Sequence, residues 1–530
     1  NRLRKETDFV KIDNKSLSEL INLSIKELLL FFNKINLTDS EKQISRRILI
    51  EVKARLEYLS NVGLDYLTLN RKSKSLSGGE SQRINIATSL GSSLIGSLYI
   101  LDEPSIGLHS NDTIRLIKVL KSLRDLGNTV IVVEHDHDIM KQADHIIDIG
   151  PKAGSEGGEL VAQGSYNEFL KQDSITAKYL NRKSEISVPK IRRNSKYYIK
   201  IIGARENNLK NINVNIPLGI ITTITGVSGC GKSSLVKSIL YPALQNELGI
   251  YENKPGEFNK IDGDLAKIDF VEFINQNPIG RSSRSNPVTY IKAYDDIRAL
   301  FSSHKLSIQR SYKPKHFSFN VDGGRCDKCK GDGEITIEMQ FMADVHLVCD
   351  QCKGSRFKKE ILDIKYLDKN IFDILNMTIN EALKFFELAN ELKIYKKLLP
   401  LKNVGLGYVK LGQSSSTLSG GEAQRIKLAY FLGKANNNKK GVFIFDEPTT
   451  GLHTDDIKKL LKSFNSLIDI GNTIIIVEHN LELIKCSDYI IDLGPVGGDN
   501  GGYIIAQGNP ENLINNNKSL TAKYLKEYLK

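Results

Sequence analysis

Ile220-Ile221-Thr222-Thr223-Ile224-Thr225 runs into Gly226-Val227-Ser228-Gly229-Cys230-Gly231-Lys232-Ser233-Ser234, and Leu235 opens a helical stretch. The β-branched run reads as a buried strand. Strand, glycine loop and helix in this order make a phosphate-binding loop. Its glycines let backbone N–H groups curl around phosphate oxygens, and the helix N-terminus adds positive potential. Lys232 would reach the β- and γ-phosphates of a nucleotide, and Ser233 would ligate Mg²⁺. Val227 and Ser234 belong to the same loop, and Cys230 reads as small filler within it. A plain glycine turn before an ordinary helix is the alternative, and the flanking elements speak against it.

Working outward, the chain repeats itself. Asn61-Val62-Gly63-Leu64 and Leu76-Ser77-Gly78-Gly79-Glu80 recur 342 positions later as Asn403-Val404-Gly405-Leu406 and Leu418-Ser419-Gly420-Gly421-Glu422. Leu101-Asp102-Glu103-Pro104 and Val133-Glu134-His135 recur at an offset of 344 as Phe445-Asp446-Glu447-Pro448 and Val477-Glu478-His479. Asp148-Ile149-Gly150-Pro151 likewise matches Asp492-Leu493-Gly494-Pro495. A unit this long means duplicated domains rather than a stacked array. Only the second copy holds the phosphate loop; its counterpart would fall before Asn1, so the chain is expected to start inside a longer protein.

Copy one is expected at 1–185, with amphipathic helices over 16–59 and a basic connector around 182–196. Copy two is expected to begin over 186–240 and to resume over 401–530. A long insert fills 241–400.

Gly441 to Asp446 reads as a buried strand ending in two carboxylates. Asp446 suits Mg²⁺ coordination and Glu447 suits polarising an attacking water. Both Asp-Glu pairs continue through Pro to Gly-Leu-His, and the next strand ends in His135 or His479. Ser77, Gly78 and Gly79, like Ser419, Gly420 and Gly421, stand at the start of a helix, an anion site.

Together these motifs resemble ABC-type ATPases over most of the chain. The resemblance implies tandem α/β nucleotide-binding domains with helical signature insertions, placed head to tail. Each ATP would lie between one phosphate loop and the other domain's signature. One composite site is then complete: Lys232, Ser233, Asp446, Glu447 and His479 facing Ser77, Gly78 and Gly79. The second would join Asp102, Glu103 and His135 to Ser419, Gly420 and Gly421, without a phosphate loop among these residues.

Within the insert, Cys326-Asp327-Lys328-Cys329-Lys330-Gly331 and Cys349-Asp350-Gln351-Cys352-Lys353-Gly354 are near copies, with 19 residues between the inner cysteines. The spacing suits a four-thiolate zinc site, an iron–sulfur cluster or redox pair being the rival. Disulfides would suit a small secreted domain, so a reducing, cytoplasmic setting is expected. Alternation from Ile335 to Phe341 predicts a strand or hairpin between the pairs. Lys353 and Arg356 lie among many basic residues here. Arg281 and Arg284 sit in a Ser/Asn/Pro-rich segment where they could grip phosphate oxygens. A solvated basic surface is an equal reading of all four.

The segments Gly203 to Leu209, Ile279 to Pro287, Asp102 to His109 and the zinc module within a nucleotide domain are similar to the UvrA family of excinuclease subunits. That resemblance implies a Mg²⁺-dependent ATPase with Zn²⁺, without a nuclease site of its own, that recognises damaged double-stranded DNA in nucleotide excision repair. It implies a homodimer, and a role for Gln276 near Mg²⁺ and the attacking water. It attaches a UvrB-type partner to the full-length protein rather than to these residues.

Composition bounds the rest. The apolar runs, such as Ile474 to Val477, are too short to span a bilayer, which excludes a membrane-embedded transporter. A net charge of +12 is compatible with nucleic acid without establishing it. A transporter's soluble ATPase subunit would leave the zinc insert unexplained. Chromosome-maintenance and translation-associated ABC proteins typically lack cysteine pairs at this place. A drug-resistance paralogue of the same family would differ in its response to damaged against intact DNA.

Overall fold

The computed structural model describes residues 4–529 apart from 74–75, 77, 92–94, 281, 283, 340–343 and 435–438. Copy two is built on a six-stranded sheet. Its order is Phe270–Ile274, Gly441–Asp446, Thr473–Val477, Ile221–Gly226, Tyr489–Gly494, Tyr503–Gly508. The first five strands are parallel and the last is antiparallel. Covered on both faces, the central strands need no alternation: Thr473–Val477 and Ile221–Gly226 are buried at every position. The phosphate-loop strand lies in the middle, so its carboxyl end opens beside those of the Asp-Glu and switch-histidine strands, where α/β sheets bind ligands.

Among the described residues copy one has counterparts of four of these strands and lacks those of Phe270–Ile274 and of the phosphate-loop strand Ile221–Gly226. Leu98–Asp102 pairs in parallel with Thr129–Val133, and Ile146–Gly150 pairs antiparallel with Glu159–Gly164. Among the described residues the two pairs stay separate sheets, for want of a strand between them. Leu98, Ile100, Ile131, Val133, Ile147 and Ile149 are consequently exposed.

The helices expected over 16–59 are Leu17–Asn22, Ile25–Lys34 and Asp39–Asn61. Each opens with a reciprocal capping box: Ser16 with Glu19, Ser24 with Glu27, Thr38 with Glu41. These boxes satisfy helix N–H groups that would otherwise lack partners. In the insert, helices such as Ile379–Leu388 and Leu392–Asn403 pack Phe386, Leu398 and Leu401 into a core continuous with Phe443 and Phe445 of the sheet.

The basic connector is anchored rather than free. Arg192 pairs with Glu511 at 2.6 Å, Arg193 pairs with Asp488 at 3.4 Å, and Ile186 is buried. Among the described residues no helix is long and apolar enough to cross a membrane.

Candidate ATP sites and metal centre

The phosphate loop closes tightly. A Cβ on Gly226, where φ is +130°, would stand 2.1 Å from the Leu493 carbonyl oxygen, so only glycine fits. Lys232 is nearly buried and its Nζ donates to the carbonyls of Gly226 at 2.9 Å and Val227 at 3.0 Å. The following helix starts as a π-helical stretch, Ser234–Leu240, and continues as Tyr241–Glu247. Cys230 is fully buried and burial pushes its thiol pKa up, which fits the filler reading and not a reactive thiolate.

Around the loop stand the carboxylates and the histidine. Burial raises the pKa of Asp446, against the pull of Lys237 and Lys232. Glu447 is pushed up to about 8, by burial first and then by Asp446 and Glu478. Its backbone has φ +47°, a left-handed conformation rare for glutamate and characteristic of functional turns. Gln276 Nε2 donates to the Glu447 carbonyl at 3.2 Å and to Thr450 Oγ1 at 2.9 Å, so it touches the turn carrying the carboxylate. Burial, then Lys232, His109 and Arg83, hold His479 well below the usual imidazole range, so the ring is neutral. Its Nδ1 is buried without a hydrogen-bond partner. An orphaned polar nitrogen beside a phosphate loop fits a polar ligand such as a nucleotide phosphate.

Copy one closes this site from the other side. Ser228 Oγ donates to the Gly107 carbonyl at 3.3 Å. A Cβ on Gly107 would lie 3.0 Å from Glu447 Oε2. The Tyr66 ring lies on Gly229, where a Cβ would meet it at 2.7 Å, and its hydroxyl donates to Glu80 Oε1 at 2.7 Å. Glu80 and buried Arg83 ride on the helix Gly78–Gly91, whose first residues are Gly78 and Gly79. Ser77 lies outside the described residues.

The reciprocal site has the same outline. Glu103 has φ +44°, and burial with Asp102 and Glu134 pushes it up to about 7. Asp102 is exposed at its strand end, and His135 Nε2 stands 3.8 Å from Glu103 Oε1. A Cβ on Gly451 would lie 3.0 Å from Glu103, and one on Gly154 would lie 2.9 Å from Tyr408. Ser419 caps the helix Gly420–Lys434 by exchanging bonds with Glu422 at 2.8 and 3.2 Å. A Cβ on Gly420 would lie 3.2 Å from Gln276, and one on Gly421 would lie 2.7 Å from the Thr450 carbonyl oxygen.

In the insert, the four ligand atoms of Cys326, Cys329, Cys349 and Cys352 all lie within 4.8 Å of one another. Cys326 Sγ to Cys349 Sγ is 3.9 Å, and Cys329 Sγ to Cys352 Sγ is 3.6 Å. Tetrahedral zinc with Zn–S bonds of about 2.3 Å puts its sulfurs about 3.8 Å apart, so the residues fit that metal. Lys330-Gly331 and Lys353-Gly354 both take positive φ after the second cysteine of their pair. This turns the backbone toward the sulfurs, as when Gly333 N donates to Cys329 Sγ at 3.3 Å. The hairpin between the pairs is Glu334–Ile337 with Val345–Val348.

No family model matches the chain. UvrABC system protein A of Clostridium acetobutylicum is 54% identical over 530 residues, all of this chain and 56% of that protein. The Aquifex aeolicus protein of the same name is 53% identical over 533 residues, covering 57% of its length. The crystal structure of UvrA2 from Deinococcus radiodurans superposes with a TM-score of 0.92 at 39% identity, over 100% of this chain and 65% of that one. The chain belongs to the UvrA family. It spans about half the length of the curated relatives it matches.

Against the expectations for a UvrA-family DNA contact, the basic residues divide. Arg281 lies outside the described residues. Arg284 is spoken for: Nε and Nη2 each reach Asp332 at 3.1 Å, stapling the Ser/Asn/Pro-rich segment to the first cysteine knuckle. Arg356 is packed, with Nη1 on the Gly412 carbonyl at 3.2 Å and its guanidinium over Phe319. In this structure neither presents an open fork to phosphate. Lys353 is exposed.

Two residues of the UvrA-family site escaped assignment from sequence. Glu478 accepts from Thr449 N at 2.9 Å, His479 N at 2.6 Å and Asn480 N at 2.9 Å, and from the Thr449 hydroxyl. Glu134 does the same for Ser105, His135 and Asp136. These carboxylates fix the Gly-Leu-His turn relative to the switch histidine. Their recurrence in both copies was the available signal.

Proposed function

We propose that this chain is the ATP-hydrolysing, DNA-facing part of a damage-recognition subunit of nucleotide excision repair. Hydrolysis would occur at the composite site of the copy-two phosphate loop and copy-one signature. The observation that carries the reading is the joining of Ser228, Glu447 and His479 of copy two to Gly107, Tyr66 and Arg83 of copy one around one phosphate loop.

The Gly226–Ser234 loop and Lys232 would hold the phosphates of ATP, with Ser233 and Asp446 holding Mg²⁺. The metal, when bound, neutralises charge on the phosphoryl group. Glu447, whose raised pKa suits a base near neutral pH, would accept the proton of the attacking water. Neutral His479 would donate or accept at the γ-phosphate, and Gln276 would hold the Glu447 turn. Ser77, Gly78 and Gly79 would close the site from copy one. The reciprocal set, Asp102, Glu103 and His135 with Ser419, Gly420 and Gly421, would stay silent in these 530 residues.

Cys326, Cys329, Cys349 and Cys352 would hold Zn²⁺ as a structural ion. The knuckles it braces support a DNA surface that includes Lys353. Damage alters the cost of bending duplex DNA without offering a base code, so a grip gated by ATP suits the task. Homodimerisation, a UvrB-type partner and a cytoplasmic setting belong to the same proposal, for the longer protein.

The test is binding of the 530-residue chain to lesion-bearing and intact duplexes, with and without ATP, as a function of salt. Preference for the lesion that changes with ATP is expected. Equal, salt-independent binding to both duplexes would overturn the reading.

A further inference from the structure

His109 takes no part in the chemistry above, yet it is nearly buried in the contact between the copies. It caps the helix Ser110–Asp125 of copy one, its Nδ1 accepting from Asn111 N at 3.2 Å. With Nδ1 an acceptor, the ring proton sits on Nε2, which lies 3.3 Å from Thr521 Oγ1 of copy two. The Thr521 hydroxyl donates to Asp492 Oδ1 at 2.7 Å. The same buried carboxylate accepts from Thr225 Oγ1 at 2.7 Å and from Ser519 Oγ at 2.6 Å. Thr225 is the residue before Gly226, the first glycine of the phosphate loop. The His109 ring also meets His479 edge to face, with centroids 6.2 Å apart.

The mirror image exists. His453 Nδ1 accepts from Asp455 N at 3.2 Å, its Nε2 lies 3.3 Å from Thr176 Oγ1, and Thr176 donates to Asp148 Oδ1 at 3.1 Å. Its ring meets His135 at 6.4 Å. This second strut ends on Asp148 of Ile146–Gly150, which has no phosphate-loop strand beside it among the described residues.

The geometry points to His109 as a positioning residue of the composite ATP site: a neutral imidazole that, through Thr521 and Asp492, ties copy one's Gly-Leu-His turn to the strand entering copy two's phosphate loop and backs the His479 ring. This rests on the ATP reading of that site. Burial, with Lys232 second, holds His109 down at about 3, so it acts as a fixed donor rather than a titrating group. The register of the two halves around this turn is thereby set in part by hydrogen bonds at a buried contact, where misplacement is costly in rate.

The test is steady-state ATP turnover by the 530-residue chain, with ATP binding measured separately by a fluorescent analogue. His109→Ala is expected to lower kcat about tenfold or more while ATP affinity changes less than about threefold. His109→Gln, whose Nε2–H can reach Thr521, should recover most of that loss. Thr521→Val, which keeps the shape and removes the hydroxyl, should reproduce the defect, and the double variant should be no worse than either single one. His453→Ala should leave kcat unchanged, because its strut leads to no phosphate loop. Wild-type turnover in His109→Ala or in Thr521→Val, or an equal loss in His453→Ala, would overturn the proposal. If instead Lys232→Ala hydrolysed ATP as fast as wild type, the ATP reading itself would fall, and the two failures are told apart.

Discussion

Copy one and copy two carry similar strand sequences in different surroundings. Ile475 and Val477 of Thr473–Val477 are buried, whereas the matching Ile131 and Val133 are about half exposed. Asp446 is half-buried beside two lysines, and its match Asp102 is exposed. Among the described residues copy one lacks the counterparts of Phe270–Ile274 and Ile221–Gly226, and only the latter stands between two other strands of the copy-two sheet that copy one also has. The phosphate-loop strand pairs with Thr473–Val477 and Tyr489–Gly494, and the loop it leads into brings Lys232 to the carboxylates Asp446 and Glu447. A motif read from sequence names what a residue can do; its neighbour in the sheet sets whether it is tuned to do it.

Turnover gives the sharpest way to break this comparison. Lys232→Ala and Glu447→Gln should each reduce ATP hydrolysis by at least about a hundredfold, Glu447→Gln retaining bound ATP. Glu103→Gln should change it less than about twofold. Phosphate release at saturating ATP decides, and equal losses in both copies would mean that the reciprocal site is active.

Stability offers the next largest contrast. Ile475→Ala should cost about 2–5 kcal/mol by opening a cavity in a closed sheet. Ile131→Ala should cost less than about 1 kcal/mol, since its side chain already meets solvent on one side. Urea titration of both variants measures the gap, and matching losses would show that copy one's strands are as tightly held.

The zinc module sharpens the contrast from copy two's side alone. Cys349→Ser should release about one equivalent of zinc while nucleotide binding stays intact, because the knuckles share no residue with the phosphate loop. Elemental analysis beside a nucleotide titration checks it, and iron in place of zinc would sink the assignment.

The smallest effect is a pH dependence. Glu447 has a folded-state pKa raised to about 8 above its ordinary 4.5. The stability linked to it is therefore fully present below the unfolded value and is lost as pH rises through about 8. Glu447→Gln removes that loss, so its melting temperature relative to wild type should rise by a few degrees between pH 5 and pH 8. The same comparison for Glu103→Gln should give a smaller rise, because Glu103 is lifted only to about 7.

The fold class, the strand–glycine-loop–helix unit and the cysteine cluster were legible because their signals are local: a β-branched run before glycines, cysteines at fixed spacing, a repeat at a constant offset. The missed contacts are not local. Arg284 meets Asp332 across 48 residues, and Tyr66 settles on Gly229 from the other copy. A basic residue in sequence shows its charge but not the carboxylate that will claim it. In the knuckles, Lys328 is taken by Asp350 at 2.7 Å and Lys358 by Asp327 at 2.8 Å, so much of the expected basic surface is internally paired. The roles of Glu134 and Glu478 hid for another reason. A buried carboxylate that organises backbone N–H groups looks, in sequence, like any acidic residue at the end of a strand.

Gly107 and Gly451 carry a consequence for how such a duplicated chain can change over time. Each fills, with nothing but hydrogen, the place where a side chain would press on the other copy's glutamate at 3.0 Å. A substitution in one half is therefore felt first in the other half's glutamate, and relief would have to come from there. The two halves cannot drift independently at these turns. Paired change across the duplication, or no change at all, is the expected record in any lineage that keeps both.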